Sequence, residues 1–188
     1  MALLAFDTSG PFVAVALLRG GAVTHRVDEM ARGQGERLMP ILEEVLEDAG
    51  LAWRDLDALA VGTGPGNFTG IRIGVSAARG LALALRIEAI GVSVFDTTAR
   101  LAGTTAAAVP ATQGRFYVFD AASMEAPLLS DAQPEAMPLS SAYGRAEHIE
   151  TLARLAYDRR GVGALPKPLY VRPADAAPPR DAPPVLID

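Results

Sequence analysis

Residues 2–27 read ALLAFDTSGPFVAVALLRGGAVTHRV and decide the fold of this 188-residue chain. Two apolar runs, 2–7 and 12–18, are separated by the turn residues Thr8-Ser9-Gly10-Pro11, and a third run, 22–27, follows two glycines. Short apolar runs joined by glycine and proline turns are typical of consecutive hairpins. The stretch therefore predicts a meander of three antiparallel strands.

Helices and strands alternate after this meander. A helical period predicts a first helix that ends at Gly50 and has an apolar face of Leu38, Ile41, Leu42, Val45, Leu46 and Ala49. The pattern then predicts a strand (56–61), a glycine-rich loop (62–70), a helix (71–85), a strand (87–92) and a helix capped by Ser93. Three antiparallel strands followed by this order predict an α/β, ribonuclease-H-like lobe over residues 1–102.

The rest of the chain predicts a smaller second lobe, over residues 103–173. Two strands are expected around Gln113-Gly114, at 106–111 and 116–119, and a helix is expected over 147–158. Leu169-Tyr170-Val171 is expected to pack as an edge strand at most, because prolines surround it. Residues 174–188 are rich in proline and alanine and are predicted to be disordered.

The composition excludes several classes of function. With 50% hydrophobic and 21% charged residues, the chain has the balance of a compact water-soluble protein. The absence of cysteine excludes disulfides, thiolate catalysis and cysteine-based metal sites. Seventeen basic residues against 22 acidic ones give a net charge of −5, so any RNA contact is expected through a partner. The first residues lack the basic region of a signal peptide, which predicts a cytoplasmic protein without a membrane segment.

Two turn segments could hold a phosphate. The glycines of residues 62–70 allow a sharp strand-to-helix turn whose free amides could bind an anion, but the same turn can form without any ligand. Asp7-Thr8-Ser9 could face a metal-bound water and a phosphate, or its hydroxyls could only satisfy turn amides. No lysine lies near either segment, which excludes a Walker A loop.

Together these segments resemble the bacterial TsaB (YeaZ) family, whose members take part in making threonylcarbamoyladenosine on tRNA. The resemblance covers about residues 1–120, and its most specific string is Gly64-Pro-Gly-Asn-Phe-Thr-Gly-Ile-Arg-Ile-Gly74. The chain departs from the family at Gln34-Gly35-Glu36, where relatives often have His-Ser-Glu. It departs again over 110–117, where only Gly114 and Tyr117 match. The short second lobe leaves its topology open.

The resemblance implies an actin/hexokinase/Hsp70-type fold and a non-catalytic, activating scaffold subunit. Such a subunit dimerises with the catalytic subunit TsaD and, with it, binds the ATPase TsaE; the complex adds threonylcarbamoyl to adenosine 37 of tRNA. The resemblance implies no catalytic residue, metal ligand or cofactor for this chain by itself, since ATP/ADP and metal belong to the partner subunits. It leaves a homodimer open. It also implies a vestigial phosphate loop formed by Asp7, Thr8, Ser9, Gly64, Gly66 and Thr69.

Two helices are candidates for the partner interface. In the second helix, Arg72, Ser76, Arg79 and Arg86 share a stripe, and the remaining apolar arc is too wide for one sheet to cover. The first helix has an acidic face of opposite sign, which could pair with basic groups of a partner. An ordinary intramolecular helix pair is the other interpretation. The residues expected at the interface are Met39, Glu43, Glu47, Arg72, Val75, Arg79 and Ala82.

Three functions compete at this point. The first is the scaffold subunit, and the second is an independent ATP-dependent phosphotransferase or ATPase of the same fold, which would bind nucleotide alone. The third is a peptidase, but this chain lacks the metal ligands and the nucleophile–base pair that a peptidase needs. The histidines His25 and His148 are far apart in sequence and are expected to be surface or packing residues.

Overall fold

A computed structural model describes residues 1–162 and 164–171. The strands are β1 (Ala2–Asp7), β2 (Phe12–Arg19), β3 (Ala22–Glu29), β4 (Ala58–Gly62), β5 (Glu88–Val92), β6 (Ala106–Pro110), β7 (Phe116–Asp120) and β8 (Leu128–Ser130). The helices are α1 (Gln34–Asp48), α2 (Phe68–Leu85), α3 (Val94–Ala102) and α4 (Arg145–Asp158). The predicted tail, 174–188, lies outside the described residues.

The main sheet has five strands in the order β3-β2-β1-β4-β5. The first three strands form the predicted antiparallel meander, and β4 and β5 add in parallel beside β1. The parallel connections place the loop after β4 next to the turn after β1, because the carboxyl ends of β1 and β4 share one edge. The predicted order of strands and helices along this part of the chain is therefore confirmed.

Both faces of the main sheet are covered by helices. Leu4 and Phe6 face a core shared with α1 and α2, while Leu3 and Ala5 face a core shared with α4. Successive side chains of a strand point to opposite faces, so β1 is buried on both sides. The helix that the sequence assigned to the second lobe thus packs on the back of the first sheet, where Ile149 and Leu152 cover apolar strand residues.

The smaller sheet has the order β6-β7-β8, with antiparallel pairing throughout. Strands β6 and β7 confirm the two predicted strands, and β8 was not predicted because residues 121–144 have little periodicity. The expected edge strand at 169–171 is wrong, since no strand forms there. Instead Leu169 N donates one hydrogen bond of 2.9 Å to Thr63 O, and Leu169 and Val171 pack beside Phe95.

Helix α2 begins at Phe68, three residues before the predicted start, because Asn67 caps it by accepting from Gly70 N at 2.9 Å. Helix α3 is capped by Ser93, as predicted, and Ser93 forms a capping box with Asp96. Helix α2 is also long and apolar enough to cross a membrane by length and composition alone, and a third of it is buried in the fold. The large apolar residues of α2 that are exposed are Phe68 and Leu83.

Candidate functional site

The turn after β1 and the loop after β4 lie against each other. Asn67 N donates to Ser9 O at 2.6 Å, and the Thr8 hydroxyl donates to Gly70 O at 2.7 Å. A Cβ on Gly66 or Gly70 would overlap the carbonyl oxygen of Ser9 or Thr8, respectively. The structure therefore brings the two predicted phosphate segments together, but as a packed junction.

Two amides of this junction are already bonded to protein acceptors. Asn67 N is bonded to Ser9 O, and Gly70 N is bonded to the Asn67 side chain. The Gly64 carbonyl accepts from Val94 N at 2.8 Å, which ties the loop to the start of α3. A phosphate between the two segments would have to break these bonds, so the segments do not fit a nucleotide phosphate between them.

Asp7 lies at the inner end of this junction. Its Oδ1 accepts from Ser9 N at 2.7 Å, and its carboxyl group packs against Gly62, where a Cβ would overlap it. Burial raises the pKa of the Asp7 carboxyl above its ordinary value, although the bonds from Ser9 and the nearby His148 and Arg145 act in the opposite direction. The charged form of Asp7 is therefore less favourable here than it is in water.

A cleft of about 580 Å³ opens beside Asp7. It is bounded by the turn after β1, the start of α3, the end of β6 and the start of α4. Its titratable lining residues are Asp7, Glu29, Tyr143, Arg145 and His148, with hydroxyls from Ser9, Ser93, Thr97, Ser140 and Ser141. The cleft lies between the main sheet and the second half of the described chain.

The charges of the cleft do not match a polyphosphate. Arg145 Nε donates to Glu29 at 2.9 Å, and its guanidinium lies 4.1 Å from the Phe12 ring centroid. Both ring nitrogens of His148 are engaged, with the Thr97 hydroxyl at 2.8 Å and Ser140 O at 2.9 Å. The cleft thus holds two carboxylates, of Asp7 and Glu29, and one guanidinium, of Arg145, which is already paired with Glu29. A polyphosphate needs several donors that are not already bonded.

The outer face of α2 is exposed along Arg72, Ser76, Arg79 and Leu83, which we call the outer stripe. Leu83 is 83% exposed. The expectation that Val75 and Ala82 lie at the partner interface is wrong, because they are only 3% and 5% exposed and belong to the core beneath α2. They lie on the side of the helix that packs on the sheet.

The acidic face of α1 is partly paired within the chain. Arg37 Nη2 and Arg26 Nη1 each donate to Glu44 at 2.7 Å, and Arg26 Nη2 donates to Asp48 at 2.9 Å. Arg26 of β3 thereby neutralises Glu44 and Asp48, two acids of the face that the sequence offered to a partner. Met39, Glu43 and Glu47 are exposed, as an interface requires.

The histidines are bonded to protein groups, as expected for surface or packing residues. His25 Nδ1 lies 2.7 Å from Glu150 Oε1 and links β3 to α4. Among residues 1–162 and 164–171, no group of three histidine or carboxylate side chains could hold a metal ion.

Comparison with known proteins decides the family. A family model described as "TsaD: tRNA N6-adenosine threonylcarbamoyltransferase" matches residues 23–137. The tRNA threonylcarbamoyladenosine biosynthesis protein TsaB of Escherichia coli (strain K12) is 39% identical over 123 residues, which are 62% of this chain and 53% of that protein. TsaB of Haemophilus influenzae is 42% identical over 103 residues, 54% of this chain and 43% of that protein. The chain belongs to the TsaB (YeaZ) family.

A solved TsaB-family structure confirms the fold. YeaZ from Pseudomonas aeruginosa superposes with a TM-score of 0.70 at 28% identity, covering 90% of this chain and 99% of that one. The chain therefore has the predicted actin/hexokinase/Hsp70-type fold. In sequence, it spans about half the length of the curated TsaB relatives it matches.

Sequence reasoning missed several residues of this TsaB-family chain. Arg145 and His148 line the cleft from α4, and Tyr170 contacts the first turn of α2. No local motif surrounds them, because tertiary packing alone brings them to these places. The buried side of α2 did have a signal: small residues recur at every fourth position, at Gly70, Gly74, Ala78 and Ala82.

Proposed function

We propose that this chain is the non-catalytic, activating scaffold subunit that dimerises with TsaD in the complex adding threonylcarbamoyl to adenosine 37 of tRNA. The observation that carries the proposal is the outer stripe of α2, where an apolar helix leaves Leu83 in solvent between arginines. A leucine so fully exposed between arginines on a long helix fits a contact with a partner helix better than it fits water.

The cleft supports a non-catalytic role. The two segments that could cradle a phosphate are bonded to each other, and the arginine that faces the cleft is paired with Glu29. An independent ATPase of this fold would need donors aimed at the transferring phosphate. We therefore assign ATP/ADP and metal to the partner subunits TsaD and TsaE.

The charge of the chain supports an indirect contact with tRNA. With a net charge of −5, this chain has no excess of basic groups to neutralise phosphates, so we assign tRNA binding to the assembled complex. Such a subunit would act in the cytoplasm, where tRNA is modified.

The test combines the purified chain with TsaD and TsaE of the same organism. We expect a stable complex with TsaD, and we expect modified tRNA only when all required subunits are present. Leu83→Glu should abolish the complex, because it would bury an unpaired carboxylate at the contact. Leu128→Glu, at a leucine that is 59% exposed on β8, is the matched control and should leave the complex intact.

Two outcomes would contradict the proposal. If the isolated chain hydrolyses ATP and loses this activity in Asp7→Ala, it is an independent enzyme. If Leu83→Glu and Leu128→Glu bind TsaD equally well, α2 is not the contact.

A further inference from the structure

Three exposed side chains meet at the first turn of α2. The rings of Phe68 and Tyr170 lie 4.8 Å apart between centroids, and the Arg72 guanidinium lies 3.9 Å from the Phe68 centroid. Arg72 Nε also donates to the Tyr170 hydroxyl at 2.9 Å. We call this group the aromatic–arginine cluster.

The fold gives no reason for this cluster to be where it is. Phe68 is 38% exposed and Tyr170 is 39% exposed, and neither belongs to the three buried cores found within residues 1–162 and 164–171. Aromatic residues and arginine are the side chains that most often dominate binding energy at protein interfaces. The cluster therefore has the composition of a contact site.

Tyr170 is held in place by residues 164–171, which we call the strap. Leu169 N donates to Thr63 O at 2.9 Å, and Leu169 and Val171 pack against the small core of Phe95, Ala107 and Val109. Pro166 is buried beside Gly91. The two neighbours of Tyr170 thus anchor the backbone, and the phenol is presented to α2 from a fixed position.

The hydrogen bond from Arg72 has a chemical consequence. Because Nε is bonded to Tyr170 and the guanidinium plane lies over Phe68, the two Nη groups are left to bind another acceptor; no bond to either is found within the described residues. Two parallel Nη donors fit a carboxylate. Arg72 is also the first residue of the outer stripe, so this acceptor would belong to the molecule that covers α2.

We propose that Tyr170 is a positioning residue for partner binding: the strap fixes Arg72 so that it receives a carboxylate of TsaD. This inference rests on the proposed function and adds to it a second segment of the chain and the chemistry of the partner's contact group. The strap is far from α2 in sequence and joins the interface only through folding.

The test is the affinity for TsaD measured by calorimetry. Tyr170→Phe removes only the hydroxyl and keeps the ring stack, and we expect it to weaken binding about tenfold, as for a lost bond to a charged group. Tyr157→Phe is the matched control, because Tyr157 is also 39% exposed and has the Arg160 guanidinium 3.5 Å from its ring centroid. We expect the control to bind as the unaltered chain does.

A double-mutant cycle separates positioning from direct contact. If Tyr170 acts through Arg72, Tyr170→Phe should have no further effect in an Arg72→Gln background. Unchanged affinity of Tyr170→Phe, an equal loss in both backgrounds, or a loss matched by a lower melting temperature would each overturn the inference while the proposed function stands. If the unaltered chain does not bind TsaD, the proposed function fails instead.

Discussion

The hydroxyl of Thr8 donates a 2.7 Å hydrogen bond to the carbonyl oxygen of Gly70, which is 62 residues further along the chain. Both residues are buried, and a Cβ on Gly70 would overlap the Thr8 carbonyl oxygen. Gly70 is helical and has no left-handed backbone, so packing alone requires a glycine there. The most specific string of the family thus has a structural role at this position, where β1 and α2 are joined.

Gly70→Ala should destabilise the fold by about 2–4 kcal/mol, because the added methyl meets backbone atoms that cannot rotate away. Denaturant unfolding followed by circular dichroism measures this change. The matched control is Gly80→Ala in the same helix, where no atom lies within 4 Å of the new Cβ. That variant should gain about 0.5–1 kcal/mol from helix propensity, and equal effects at both positions would contradict the packing argument.

Val75→Glu should prevent folding or lower the free energy of unfolding by several kcal/mol, on the order of 3 or more, because it buries a carboxylate without a partner. Val75 is 3% exposed and packs in the core between α2 and the main sheet. Ser76→Glu, at the exposed neighbouring position, should leave the melting temperature nearly unchanged. Thermal melts of the two purified variants decide the matter, and similar melts would show that α2 is rotated from its position here.

The wrong placement of Val75 at the partner interface shows what the helical period of α2 can and cannot predict. The period of 3.6 gave the correct stripe, since Arg72, Ser76, Arg79 and Arg86 are all exposed. It did not give the side that packs on the sheet, because apolar residues occupy most of the circumference. The side of α2 that packs on the sheet is set by the close approach of Thr8 to the α2 glycines. This contact joins segments that are distant in sequence, so the helical period does not contain it.

The main sheet was predictable because its information is local. Apolar runs separated by glycine-containing turns determine β1, β2 and β3, and the capping residue Ser93 determines the start of α3. The cleft and the strap depend on contacts between segments far apart in sequence, such as Arg145 with Glu29. Their residues are common types in a region without periodicity, so the sequence offered no signal for them.

Asp7→Asn should raise the melting temperature at pH 7. Burial raises the pKa of the Asp7 carboxyl in the folded state, so the charged form costs stability at neutral pH. The amide oxygen of asparagine can still accept from Ser9 N. As the pH falls through the raised pKa, the carboxyl is protonated in the fold, and the gain should vanish near the unfolded value of about 3.9. A lower melting temperature of Asp7→Asn at pH 7 would mean that His148 and Arg145 outweigh burial.

Asp96→Asn should show the opposite pH dependence. Burial acts to raise the pKa of Asp96, but hydrogen bonds from Arg159 and Ser93 outweigh it, so the folded pKa is lowered. The charged form therefore adds stability above the unfolded pKa of about 3.9, and this contribution is lost as the pH falls through the folded value. We expect the variant to lose about 1–3 kcal/mol at pH 7 and little in acid. Melts from pH 3 to pH 8 would contradict this if the difference were constant.

A chain ended after Val171 should keep its melting temperature within about 2 °C, because the residues beyond have few large apolar side chains to bury. A chain ended after Pro168 should melt about 4–10 °C lower, since it loses the bond from Leu169 to Thr63 and the packing of Leu169 and Val171. Comparing the two by calorimetry isolates the three residues that hold Tyr170 against α2. A large fall in the first chain would mean that residues beyond Val171 also dock, and equal melting of the two chains would mean that the end of the strap adds no stability.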